Sequence, residues 1–159
     1  MKIIKKVLIV ALIALIGIQF WRPEKNQSGY ETLAAFEADT KPTDKVTAIL
    51  KTNCYDCHSN QTSYPWYAQV APISLWLDDH IRHGKGDFNM SDWASYSVKK
   101  KDHKLDELIE EVEEGHMPLD SYTWIHGTLS DEDKSVLISW AREARKPFRA
   151  QLATQELPQ

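Results

Sequence analysis

DHKLDELIEEVEEGHMP, residues 102–118, is the stretch that decides the fold class of this chain. Leu105, Leu108, Ile109 and Val112 recur at i, i+3, i+4 and i+7, which lines one face of a helix with apolar side chains. Gly115 and Pro118 are stop signals, so the spacing predicts a helix over 102–114. The same period appears on either side. Upstream, Thr43 or Asp44 caps a short helix carrying Val46, Ile49 and Leu50 that runs into Cys54. A polar, turn-rich stretch, SNQTSYPWY (59–67), follows. A helix over Val70–His83 then carries Ile73, Leu75, Trp76, Leu77 and Ile81 and is closed by Gly84 and Gly86. Ser91 caps a short turn with Trp93 and Tyr96. Downstream, Ser130-Asp131-Glu132-Asp133 opens a last helix that buries Val136, Leu137, Trp140, Ala141 and Ala144 and stops before Pro147. No strand alternation of useful length and no internal repeat appears, so the domain is all α.

At 159 residues the chain suits one domain with a modest core. Apolar residues at 42% and charged residues at 26% match an ordinary globular composition, which excludes both a disordered chain and a multi-span membrane protein. The formal net charge of -4 excludes a nucleic-acid partner, because a phosphate-binding face needs a basic excess. Six Trp are an excess for this length, and a flat cofactor or a groove with large aromatic walls would use them, as would plain core packing.

The N-terminus, MKIIKKVLIVALIALIGIQFWRPEK, places lysines ahead of an apolar run from Val7 to Phe20 that only Gln19 interrupts. Ile3, Ile4 and Trp21 extend the run if the lysines reach the interface. The small residues of a cleavage site are missing after it, which favours an uncleaved signal anchor over a removed signal peptide. Residues 1–21 are thus expected to form a transmembrane anchor, with the remainder outside the cytoplasm. Residues 22–42 read as a polar tether with Pro23 and Pro42. The domain proper covers 43–147, and 148–159 form a C-terminal tail.

Cys54-Tyr55-Asp56-Cys57-His58 is the chemistry-bearing motif. A thioredoxin-type dithiol needs a βαβ context, which an all-α chain lacks. Zinc needs four ligands, and with only two Cys it would have to recruit a His pair such as His80 and His83. A Cys54–Cys57 disulfide leaves His58 unused. Covalent haem uses every letter: two thiols at this spacing for two vinyl groups and the next residue, His58, as the iron ligand. On the opposite face of the iron, Met or His serve. Met117, in Gly115-His116-Met117-Pro118 just after the strongest helix, is the leading candidate, with His126 in TWIHG its imidazole rival and Met90 the weaker thioether. Trp66, Tyr67, Trp76 and Trp93 are candidate haem walls, and Arg82 or Lys85 candidate propionate partners. A carbonyl near Pro65 or Pro72 is a candidate to orient His58 by accepting its other ring proton.

The runs CYDCHSNQTSYPWY, FNMSDW, EGHMPLDSYTWIH and LSDEDKSVLISWA resemble the monohaem c-type haem-binding domain family common in Bacteroidota, from Cys54 to about Ala141. QFWRP after the apolar run is also similar to members of that family. The resemblance implies a small cytochrome c-like helical domain behind an N-terminal transmembrane anchor. It implies one haem c per chain, with thioethers at Cys54 and Cys57, His58 as proximal ligand and Met117 as distal ligand. The expected activity is one-electron transfer with redox partner proteins, by a domain anchored to the inner membrane on its periplasmic side. The alternative is a haem enzyme or a gas or redox sensor with an open or displaceable sixth position, and a zinc-binding domain stands behind both.

Overall fold

The computed structural model describes residues 1–155. The described residues form α1 (Lys2–Ile18), α2 (Ala34–Thr40), α3 (Asp44–Asn53), α4 (Tyr55–His58), α5 (Ile73–Asp87), α6 (Val98–Glu113), α7 (Asp120–His126) and α8 (Asp131–Gln155), with 3-10 turns at Tyr30–Leu33, Trp66–Gln69 and Met90–Ser95. Among them no strand forms, and a single antiparallel bridge joins Gln27 to Gln61. The expected all-α class is the observed one.

The core is built where α6 lies along α8. Leu105, Ile109 and Val112, the periodic face of α6, are buried with Leu137, Ala141 and Ala144 of α8. Ion pairs clip the two helices at their edges: Arg145 reaches Asp102 at 2.8 Å and also Asp106, and Arg142 reaches Glu113. Helix α6 starts earlier than its apolar period, because the Ser97 hydroxyl accepts from the Lys100 amide and caps the first turn. Helix α3 begins as expected, with Thr43 accepting from Val46 N–H.

Trp93 sits at the centre of this core and is fully buried. Its ring meets Phe36 edge-on at 5.2 Å and Phe148 at 5.8 Å, and its indole N–H donates to Asp39 at 3.0 Å. Phe148 explains why the last helix ignores Pro147. A proline inside a helix costs about 3 kcal/mol, yet α8 continues through it to Gln155 and buries Phe148 against Trp93. The expected stop at Pro147 is therefore corrected. Of the expected tail, 148–155 is helical and 156–159 lie outside the described residues.

The segment read as a tether belongs to the folded body. Leu33 and Phe36 are fully buried in the main core. Asn26 donates to the Ser59 carbonyl at 2.8 Å and to the Thr62 hydroxyl at 2.9 Å, and accepts from Lys85 at 2.7 Å. The polar residues of 22–42 outnumber the apolar ones, yet they bond to the body: Asn26 to the 59–62 loop, Thr32 to Ser91 and Asp39 to Trp93 and Lys101.

The expected transmembrane anchor is also corrected. Helix α1 ends at Ile18, and among the described residues no helix is long and apolar enough to cross a membrane. Seventeen residues rise about 25 Å, short of a hydrocarbon core of about 30 Å. Past Ile18 the amides of Gln19, Phe20 and Trp21 donate to the carbonyls three residues back, which ends the helix, and the Gln19 side chain docks that end by pairing with both the N–H and the carbonyl of Ala71, at 3.0 and 2.9 Å. Arg22 then donates to the Gln69 carbonyl, so Trp21 lies past the helix rather than extending it.

Helix α5 passes through Gly84 and Gly86 and ends at Asp87, later than the glycines predict. Gly84 faces α4: a Cβ there would lie 2.7 Å from the Cys57 carbonyl oxygen. Gly86 has open space around it. The two glycines should thus respond oppositely to alanine. Gly84→Ala is expected to destabilise the protein by about 1–3 kcal/mol through overpacking, whereas Gly86→Ala is expected to stabilise it by up to about 1 kcal/mol through helix propensity. Urea unfolding midpoints of the two variants check both signs.

Candidate functional site

The five residues Cys54 to His58 make one helical turn: both Cys57 N–H and His58 N–H donate to the Cys54 carbonyl, at 3.2 and 2.9 Å. Positions i, i+3 and i+4 share a face of such a turn. The two intervening residues fasten the turn from behind. The Tyr55 ring is buried in the core. Asp56 accepts from Ser63 N–H at 2.8 Å and, through its carbonyl, from the Thr62 hydroxyl at 2.5 Å. Cys54, Cys57 and His58 are thereby left to line cavities.

Two adjoining cavities meet at this turn. The larger, about 440 Å³, is lined by Cys54, His58, Met117 and Pro118, with apolar residues that include Phe88 and Leu137 and charged ones that include Asp87 and Lys104. The smaller, about 290 Å³, is lined by Cys57, His58, Gly84, Met117 and Tyr122. His58 and Met117 line both. Each thiol opens on a different cavity of the pair, and the larger falls within the size range of cofactor sites.

His58 is oriented by the chain itself. Its Nδ1 lies 2.9 Å from the Phe88 carbonyl, which can only accept, so Nδ1 carries the proton and Nε2 keeps a free lone pair. Burial pushes the imidazole pKa down, opposed by the Phe88 and Gly84 carbonyls, so the neutral, ligating form is favoured. The orienting carbonyl is Phe88 rather than one near Pro65 or Pro72. Helix α5 carries the chain back to His58, a placement with no local signal in the sequence.

Both cysteines are free thiols. Burial, then the neighbouring Cys57, pushes Cys54 up to about 12; burial, then Asp56, pushes Cys57 to about 11. These are the reverse of the depressed values that a redox dithiol uses. The zinc alternative lacks its ligand set: among the described residues no group of three or more His, Cys, Asp and Glu side chains could hold a metal ion. The His80 ring lies tilted against Trp76 with centroids 4.3 Å apart, and His83 pairs with Asp79.

The aromatic residues expected to wall a haem lie elsewhere. Trp93 is in the core, Trp66 is 82% exposed and packs on Tyr67, and Trp76 is half-exposed against His80. None of Trp66, Tyr67, Trp76 and Trp93 lines either cavity. His126 lines a separate cleft and meets the Tyr67 hydroxyl at 3.0 Å. Arg82 pairs with Asp78 and Asp79, and Lys85 with Asn26. The cation that does line the larger cavity is Lys104, mostly buried and paired with Glu107 at 2.5 Å. His116 turns to Glu114 at 3.3 Å, leaving its neighbour Met117 to line the cavities.

A free thiol pair and an oriented imidazole on one helical face, lining cavities that a thioether, Met117, also lines, form a donor set that fits a covalently held haem. Residues 13–143 match the family described as the haem-binding domain. The chain belongs to that family. It is accordingly a haem protein, and iron comes with the group it binds. No curated protein and no solved structure matches the chain. In this haem-binding domain, Leu108 and Val112 of the larger cavity were legible in the apolar period of α6. Phe88 and Tyr122 were not, since each arrives from an element whose position only packing determines, and Lys104, though on α6, lies off its apolar period.

Proposed function

We propose that the protein is a c-type cytochrome that carries one electron at a time, holding one haem through thioethers at Cys54 and Cys57, with His58 as proximal and Met117 as distal ligand. The observation that carries this reading is that His58 and Met117 line the same two cavities, into which Cys54 and Cys57 open separately. Bound haem supplies a ferric/ferrous couple. The chain supplies the rest. His58 presents Nε2 because Phe88 holds Nδ1. Phe88, Met90, Leu108, Val112, Leu129 and Leu137 give the larger cavity an apolar wall, and a thioether at Met117 favours the ferrous state over what a second imidazole would give. Attachment of this kind belongs to an extracytoplasmic compartment, so the periplasm is the proposed location, and other redox proteins are the proposed partners.

Visible spectra of the haem-loaded protein and of Met117→Ala test the ligand pair. The ferric protein should show a weak far-red sulfur-to-iron band, and the variant should lose it. An identical spectrum in the variant removes Met117 as ligand. A five-coordinate spectrum in the unaltered protein favours an enzyme or sensor with an open sixth position.

A further inference from the structure

Helix α7 buries none of its residues, and its Trp124 and Ile125 are 81% and 63% exposed. A seven-residue helix is far too short to hold itself together, and without a buried face it has little hydrophobic reason to stay on the body. What joins it to the rest is polar and aromatic. The Tyr122 hydroxyl donates to the Thr52 carbonyl at 2.5 Å, in the last turn of α3 just before Cys54. The Tyr122 ring stacks on His126 at 4.2 Å, and His126 in turn meets the Tyr67 hydroxyl at 3.0 Å. Of these residues, Tyr122 itself lines the smaller cavity. The loop that carries Met117 runs directly into α7, and Met117, Pro118 and Tyr122 line the smaller cavity together with Cys57 and Gly84.

We infer that Tyr122 is a positioning residue: by latching α7 to α3 and, through His126, to Tyr67, it holds the Met117 loop closed toward His58. The inference rests on Met117 being the distal ligand. It gives a role to a tyrosine that touches neither Cys54 nor His58 by any hydrogen bond, and to a histidine that otherwise stands as an unused ligand candidate. A closed latch makes the sixth position slow to open; a broken latch lets the loop swing out while the α6–α8 core stays folded.

The test uses the full-length haem-loaded chain with Tyr122→Phe, which keeps the ring and its stack but removes the hydroxyl, and with Tyr67→Phe, which frees His126. Amide exchange of residues 119–127 and the rate at which added imidazole binds the ferric protein are measured beside the urea midpoint. Each variant should speed both exchange and imidazole binding by roughly three- to tenfold, the loss of one hydrogen bond, with the urea midpoint little changed. Unchanged exchange in both variants overturns the latch. Faster exchange with imidazole binding at the unaltered rate, or binding that rises only in step with global unfolding, overturns the positioning role. Failure of the ligand assignment is distinguishable, because it shows in Met117→Ala as a spectrum matching the unaltered protein.

Discussion

A chain carrying Cys54→Ala together with Cys57→Ala should retain no haem after denaturation and acid–acetone extraction, whereas the unaltered chain should keep its full pyridine haemochrome absorption. The two cysteines are the only ones in the sequence, so no other thiol can replace them. Their i, i+3 placement on one turn, with each thiol at a different cavity of the adjoining pair, lets two separate points of one flat group be tied. Each single variant should keep haem through the remaining thiol. In the double variant His58 still has its Phe88 partner and the cavity its apolar walls, so haem should bind under native conditions and be lost only on extraction. Complete extraction from the unaltered chain would make the protein a non-covalent haem binder, leaving the family intact and overturning the attachment.

Trp93→Ala should cost about 3–5 kcal/mol of folding stability, the range for deleting a large buried aromatic. Trp93 is fully buried, joins Phe36 and Phe148 edge-on, and ties its indole N–H to Asp39. Alanine leaves a cavity at the place where α2, α8 and the Met90–Ser95 turn converge, and it leaves Asp39 with Lys101 alone. Against a total stability of about 5–15 kcal/mol, that loss makes the fold marginal. Trp66→Ala, at an 82% exposed position, should change stability by less than about 0.5 kcal/mol. Chemical denaturation of the two variants separates a core tryptophan from a surface one; equal losses would contradict the placement of Trp93.

That contrast shows how far the tryptophan excess could be interpreted. Composition counts side chains without placing them, and the six divide between a core pair, Trp93 and Trp140, and four that are exposed at 48% or more. Helix ends were legible where a local cap decides them, as at Thr43, and illegible where a distant contact does. Gly84 looked like a stop signal because glycine disfavours helix, yet it is the place where α5 comes close to Cys57. Pro147 looked like an end, but burial of Phe148 offsets the broken turn. Gln19 looked like a minor interruption in an apolar run, and its side-chain amide docks the end of the helix on Ala71, 52 positions away.

By itself the sequence determined the all-α class, because helical period is written within seven residues of any point, and it determined the Cys54, Cys57 and His58 constellation, because one turn of helix puts those positions on one face. Tertiary structure alone decided that Phe88 orients His58, that Met117 returns to the same cavities, and that Leu33 and Phe36 belong to the core. These contacts join segments as much as 100 positions apart, as between Thr40 and Trp140, and their geometry follows from how whole helices pack rather than from any local pattern.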